Sequence, residues 1–92
     1  MSSRSIVLLT DFGPGSSYVG EMKGVLATLA PGAPVLDLCH DVRPQDVAGA
    51  AFLLGGAWRR FPRGSVFVAV VDPGVGSERA VVALQTREAV FL

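Results

Sequence analysis

Apolar residues in this chain follow two rhythms, separated by loops rich in glycine, proline and aspartate. Short apolar runs with little polar interruption, at residues 5–10, 35–38 and 66–71, predict strands covered on both faces, the usual condition in a parallel sheet flanked by helices. Between them, Tyr18, Met22, Val25, Leu26 and Leu29 recur at helical spacing, as do Val47, Ala50, Ala51, Leu54, Ala57 and Trp58. Each set predicts a helix with those residues on its buried face. Ser16 or Ser17 suits the start of the first helix. Asp46 suits the start of the second and Arg59 and Arg60 its end, although Gly49, Gly55 and Gly56 weaken it. Residues 80–84 and 89–92 predict two more strands, joined by Thr86, Arg87 and Glu88. The order strand, helix, strand, helix, strand, hairpin predicts right-handed crossovers and an α/β fold, a Rossmann-like, mostly parallel sheet with flanking helices. Because Val90, Phe91 and Leu92 close the chain inside an apolar run, the expectation is an incomplete N-terminal domain over residues 1–92.

Composition narrows the functional classes. Half of the 92 residues are hydrophobic and 17% are charged, a balance suited to the core of a larger unit. Eight basic and eight acidic residues give no net charge, so no footprint for nucleic acid is visible. The single cysteine, Cys39, can form neither an internal disulfide nor a zinc pattern. The early apolar run is too short for a signal segment or a membrane span. A cytoplasmic protein without membrane or nucleic-acid partners is expected.

Ligands of parallel sheets collect outside the carboxyl ends of the strands. Asp11, Asp41 and Asp72 each lie at or just beyond such an end, where an aspartate can equally do no more than cap a turn. Asp11 and Asp72 stand apart because each separates a buried run from a glycine-rich turn. Residues 13–18 have Tyr18 where a dinucleotide fingerprint requires its third glycine, and no Gly-Lys-Ser/Thr follows either loop, so both phosphate-loop patterns fail. Two acids would also repel a polyphosphate; a nucleoside fits better, with an acid accepting from its ribose hydroxyls. Asp72 and Arg79 can face each other across a tight loop, either orienting a water or forming a loop salt bridge. His40 reads as a hydrogen-bonded loop residue in preference to a base, Cys39 as a small core residue, and Trp58 and Phe61 as core. Arg59, Arg60 and Arg63 read as a solvated helix end.

Residues 10–13 (Thr-Asp-Phe-Gly), 18–24 (Tyr-Val-Gly-Glu-Met-Lys-Gly), 37–40, Phe61-Pro62-x-Gly64 and 71–79 (Val-Asp-Pro-Gly-Val-Gly-Ser-Glu-Arg) together resemble the S-adenosyl-L-methionine hydroxide adenosyltransferases. These are adenosine-forming S-adenosylmethionine hydrolases related to fluorinase and chlorinase. The resemblance implies cleavage of S-adenosylmethionine to adenosine and methionine, by water or hydroxide attacking the ribose carbon that bears the sulfonium. It implies no metal, and no cofactor besides this substrate. Asp72 and Arg79 match two of the residues that orient the water, and the third, a histidine, lies beyond residue 92, so His40 is not that group. Asp11 matches the acid on the ribose hydroxyls, and Tyr18 and Gln45 match positions lining the nucleoside and methionine pocket. Ser16 stands where many members carry aspartate. Halogenating relatives have tyrosine at the position of Asp72 and lack the arginine, which favours hydrolysis.

The resemblance further implies a homotrimer when full length, with sites between the N-terminal domain of one subunit and the C-terminal β domain of its neighbour. The 92-residue chain alone is therefore expected to be inactive. A nucleoside-binding half-domain without turnover and a non-functional fragment are the rival readings.

Overall fold

The computed structural model describes residues 4–71, 84–85 and 89–91 of the chain. Strand β1 (Ile6–Thr10) leads to helix α1 (Ser17–Leu29) and strand β2 (Val35–Cys39). Helix α2 (Val47–Ala57) follows and tightens into a 3-10 turn (Trp58–Arg60) before strand β3 (Ser65–Val70). Two short strands, β4 (Leu84–Gln85) and β5 (Ala89–Phe91), complete a five-stranded sheet in the order β2-β1-β3-β5-β4. β1 is parallel to both β2 and β3, β3 is parallel to β5, and β4 and β5 pair antiparallel. This is the α/β architecture expected from the alternation of strand and helix patterns.

The strand order carries a functional consequence. From β1 the chain steps outward to β2 and then returns past β1 to β3, so the crossover reverses direction between β1 and β3. Ligands of open α/β sheets bind outside the carboxyl ends of strands at such a reversal.

β1 is the centre of the core. Val7, Leu8, Leu9 and Thr10 are all buried, as a strand must be when paired on both edges and covered on both faces. Val7 packs with Phe67, Leu38, Leu54, Trp58 and Phe61, and the Phe61 and Phe67 rings meet edge to face at 5.7 Å. Leu9 packs with Val42 and Ala50, joined by Cys39 and Ala69. Trp58, Phe61 and Cys39 thus take the core roles read from the sequence. Leu8 and Thr10 point to the opposite face by strand alternation. Arg59 lies on the solvent side with its guanidinium 4.4 Å over the Trp58 ring, a cation–π contact.

Both helices start on side-chain caps. Ser16 accepts from Tyr18 N at 3.1 Å, and Asp46 accepts from Gly49 N at 2.9 Å. The predicted inner face of α1 is only partly correct. Met22 and Leu26 are half-buried, but Tyr18, Val25 and Leu29 are 66%, 56% and 77% exposed. The apolar stripe of α1 is wider than the sheet beneath it can cover, and the helix turns Val19, Met22, Lys23 and Leu26 inward instead. α2 turns Ala50, Leu54 and Ala57 inward, while Val47, Ala51 and Phe52 are exposed.

The glycines of α2 separate into two kinds. A Cβ on Gly49 would collide with the Asp46 carboxylate that caps the helix, whereas nothing lies within 4 Å of a Cβ on Gly55 or Gly56. Gly55→Ala is therefore expected to raise stability by about 0.5–1 kcal/mol, the helix-propensity difference. Gly49→Ala should gain nothing, because displacing the cap removes about 1 kcal/mol. Urea unfolding of the two variants checks this; equal gains would mean that the cap is not stabilising.

Candidate nucleoside site at the strand reversal

The segment after β1 is held by main-chain contacts in several directions. Asp11 N donates to Val70 O at 3.2 Å, tying the loop to the end of β3. Phe12 N donates to the Thr10 hydroxyl at 3.3 Å and Gly13 N to His40 O at 2.8 Å. Gly13 sits at φ 93°, in the left-handed region that glycine enters without strain. Ser16 N then bonds Gly13 O at 3.1 Å, and Ser16 opens α1. Asp11, half-buried, is thereby fixed at the reversal between β1 and β3.

Among the described residues the Asp11 carboxylate has one clamp. Its Oδ2 accepts from Gln45 N at 3.1 Å. Gln45 lies in a four-residue turn closed by Asp46 N donating to Arg43 O at 3.0 Å. Pro44 presets the first central position of that turn, and Gln45 occupies the second at φ 64°, where a type II turn favours glycine. Gln45 is the only non-glycine residue with positive φ among the described residues. The strained geometry aims its N–H at Asp11, so Gln45 contributes through its backbone while its side chain is exposed.

A second network runs behind the loop. Thr10 Oγ1 and His40 Nδ1 are 2.8 Å apart, His40 Nε2 lies 2.6 Å from Asp37 Oδ1, and Lys23 Nζ donates to Asp37 Oδ2 at 2.7 Å. These bonds join β1, β2 and α1. Burial pushes the Asp37 carboxyl up, but the hydrogen bonds and charges of Lys23 and His40 outweigh it and hold the group below its ordinary value.

Of the residues singled out in the sequence, Asp11 and Gln45 are in direct contact. Tyr18 joins them indirectly, its ring edge to face with Phe12 at 5.9 Å. Asp72 and Arg79 lie outside the described residues. Asp41 is exposed, and its N donates to Cys39 Sγ at 3.3 Å, so it behaves as a turn residue. His40 is a hydrogen-bonded loop residue, as read from the sequence. The Lys23–Asp37–His40–Thr10 linkage goes beyond that reading; its traces in the sequence are a polar residue closing a buried strand and an acid three residues before a lone histidine. Among the described residues no group of three His, Cys, Asp or Glu could hold a metal, and no helix is long and apolar enough to cross a membrane.

A family model described as SAM hydroxide adenosyltransferase N-terminal domain matches residues 6–92. A Thermus thermophilus protein named (R)-S-adenosyl-L-methionine hydrolase is 49% identical over 80 residues, covering 87% of this chain and 31% of the relative. A fluorinase of Actinoplanes sp. is 31% identical over 84 residues, covering 91% of this chain and 28% of its own. The crystal structure of a conserved hypothetical protein, also from Thermus thermophilus, superposes with a TM-score of 0.88 at 45% identity, over 97% of this chain and 37% of that one. The chain thus spans about a third of the length of the relatives it matches.

The turn predicts a ranking at position 45. Gln45→Gly keeps the N–H and loses the left-handed strain, so it should be no less stable than wild type, whereas β-branched Gln45→Val should lose about 1–2 kcal/mol. Urea midpoints decide; a Gly variant less stable than the Val variant would mean the turn is not strained.

Asp37, with its lowered value, contributes stability that is fully present above the unfolded-state value of 3.8 and is lost as pH falls through the lower folded value. The gap between wild type and Asp37→Asn, at most about 1 kcal/mol for a pair this exposed, should be open above about pH 4 and close below it. Urea titration at several pH values tests this, and a gap that widens in acid would contradict it.

Proposed function

Because this chain belongs to the family of SAM hydroxide adenosyltransferase N-terminal domains, we propose that it is part of an enzyme hydrolysing S-adenosyl-L-methionine to adenosine and L-methionine. The observation that carries the reading is the fixed Asp11 carboxylate at the strand reversal, in a chain 49% identical to a named hydrolase. Asp11 Oδ2 is clamped by Gln45 N, and Oδ1 has no partner among the described residues, so it suits the ribose hydroxyls, which donate to a carboxylate. Tyr18 and Gln45 serve as walls of the substrate pocket.

In this reading, a water oriented by Asp72 and Arg79 attacks the ribose C5′ carbon. A C–O bond forms as the C–S bond breaks, the sulfonium takes the bonding pair to leave as the neutral thioether of methionine, and the attacking water releases its proton. The leaving group is already activated by its charge, so the protein supplies chiefly orientation and exclusion of bulk water. The remaining parts of the site come from sequence beyond residue 92, in a cytoplasmic homotrimer.

The fluorinase relative supports a second reading, in which a halide replaces water as nucleophile. An anionic Asp72 would repel a halide, and the higher identity is to the hydrolase, so hydrolysis is preferred.

The test is incubation of the full-length protein with S-adenosylmethionine, with and without halide, and separation of the products. Adenosine with methionine is expected in both cases. A 5′-halogenated nucleoside would establish the second reading, and neither product would refute both. Asp72→Ala should lower turnover by at least about a hundredfold, as loss of a nucleophile-orienting group does, while adenosine affinity changes little; normal hydrolysis by that variant would remove Asp72 from the mechanism.

A further inference from the structure

The pairing of β1 with β2 slips by one residue between Leu8 and Leu9, so that Leu9 faces Cys39 instead of Leu38. Without the slip, Thr10 would fall opposite Cys39. With it, His40 comes alongside Thr10, and its Nδ1 reaches the hydroxyl at 2.8 Å. Register irregularities re-aim side chains in this way beside functional sites.

With the His40 ring neutral, donor and acceptor chemistry fixes the direction of the bonds. Asp37, an ionised carboxylate, only accepts, so His40 donates to it from Nε2. In the neutral ring Nδ1 is then bare and accepts the Thr10 hydroxyl proton. Thr10 Oγ1 in turn accepts from Phe12 N. The Asp37 carboxylate is also held by Lys23, so each end of the relay is anchored. A hydroxyl bonded to a histidine that is backed by an aspartate has the constitution of a nucleophilic triad. Thr10, however, has no solvent exposure, and no substrate can reach it.

We infer that His40 is a positioning residue for Asp11. It orients the Thr10 hydroxyl that holds Phe12 N, and its own carbonyl holds Gly13 N at 2.8 Å. Both residues that follow Asp11 are therefore anchored through His40. The inference rests on the ribose-binding role proposed for Asp11.

The two faces of the ring can be tested separately, because the amide of asparagine overlays Nδ1 of histidine and that of glutamine overlays Nε2. In the full-length protein, His40→Gln and Thr10→Val should weaken adenosine binding about tenfold, the scale of a buried hydrogen-bond partner left unmatched. His40→Asn, which keeps an acceptor for Thr10, should stay within about threefold of wild type. Nitrogen-15 NMR of the ligand-free protein should show His40 protonated at Nε2 and bare at Nδ1. An Nδ1–H tautomer, or Asn as damaging as Gln, overturns the inference. A wild type with no affinity for adenosine would sink the nucleoside reading, and the tautomer measured on the same sample would then decide the positioning role alone.

Discussion

A strand paired along both edges and covered on both faces leaves neither its backbone nor its side chains to water, and the Val7–Thr10 stretch of β1 meets that condition. Its apolar residues meet that condition by packing. Thr10 cannot, because a buried hydroxyl without partners loses the bonds it made in water and gains none in return. The surroundings of Thr10 are arranged accordingly, with His40 on one side and Phe12 N on the other. Among the described residues, no buried side-chain nitrogen or oxygen is left without a hydrogen bond. Enclosure of one strand thus dictates a polar network, and that network lies directly behind the loop that presents Asp11.

The alternation of strands and helices was legible because its signals are local: uninterrupted apolar runs, helical spacing, and breakers between them. The hairpin was legible for the same reason, with Leu84 pairing antiparallel to Phe91. The inner face of α1 was less so. Tyr18, Val25 and Leu29 satisfy helical spacing as well as Met22 and Leu26 do, and only the position of the sheet decides which of them is covered. Asp11 stood out through its place between a buried run and a glycine turn. The contribution of Gln45 did not, since a glutamine gives no sign in sequence that it will adopt φ 64°. The relay through His40 depends on a one-residue slip between strands, which no periodicity records.

Most of the bracing around Asp11 is carried by main-chain groups. Val70 O, Gln45 N, His40 O and Gly13 N hold the loop, and among the described residues the side chains that take part directly are those of Thr10 and Asp11 itself. Backbone donors are presented in fixed directions by the elements they belong to. They lose little freedom when a ligand arrives, the condition under which binding free energy is best kept for the substrate.

The bond from Gln45 N to Asp11 has a consequence for how such sites are traced through families. The donor belongs to the peptide unit and not to the glutamine side chain, so exchange of the side chain leaves it in place. Correlated substitution between positions 11 and 45 is then not expected, and truncating residue 45 to alanine would not reveal the bond. Replacing that amide with an ester, which deletes the N–H and keeps every side chain, is the perturbation that isolates it.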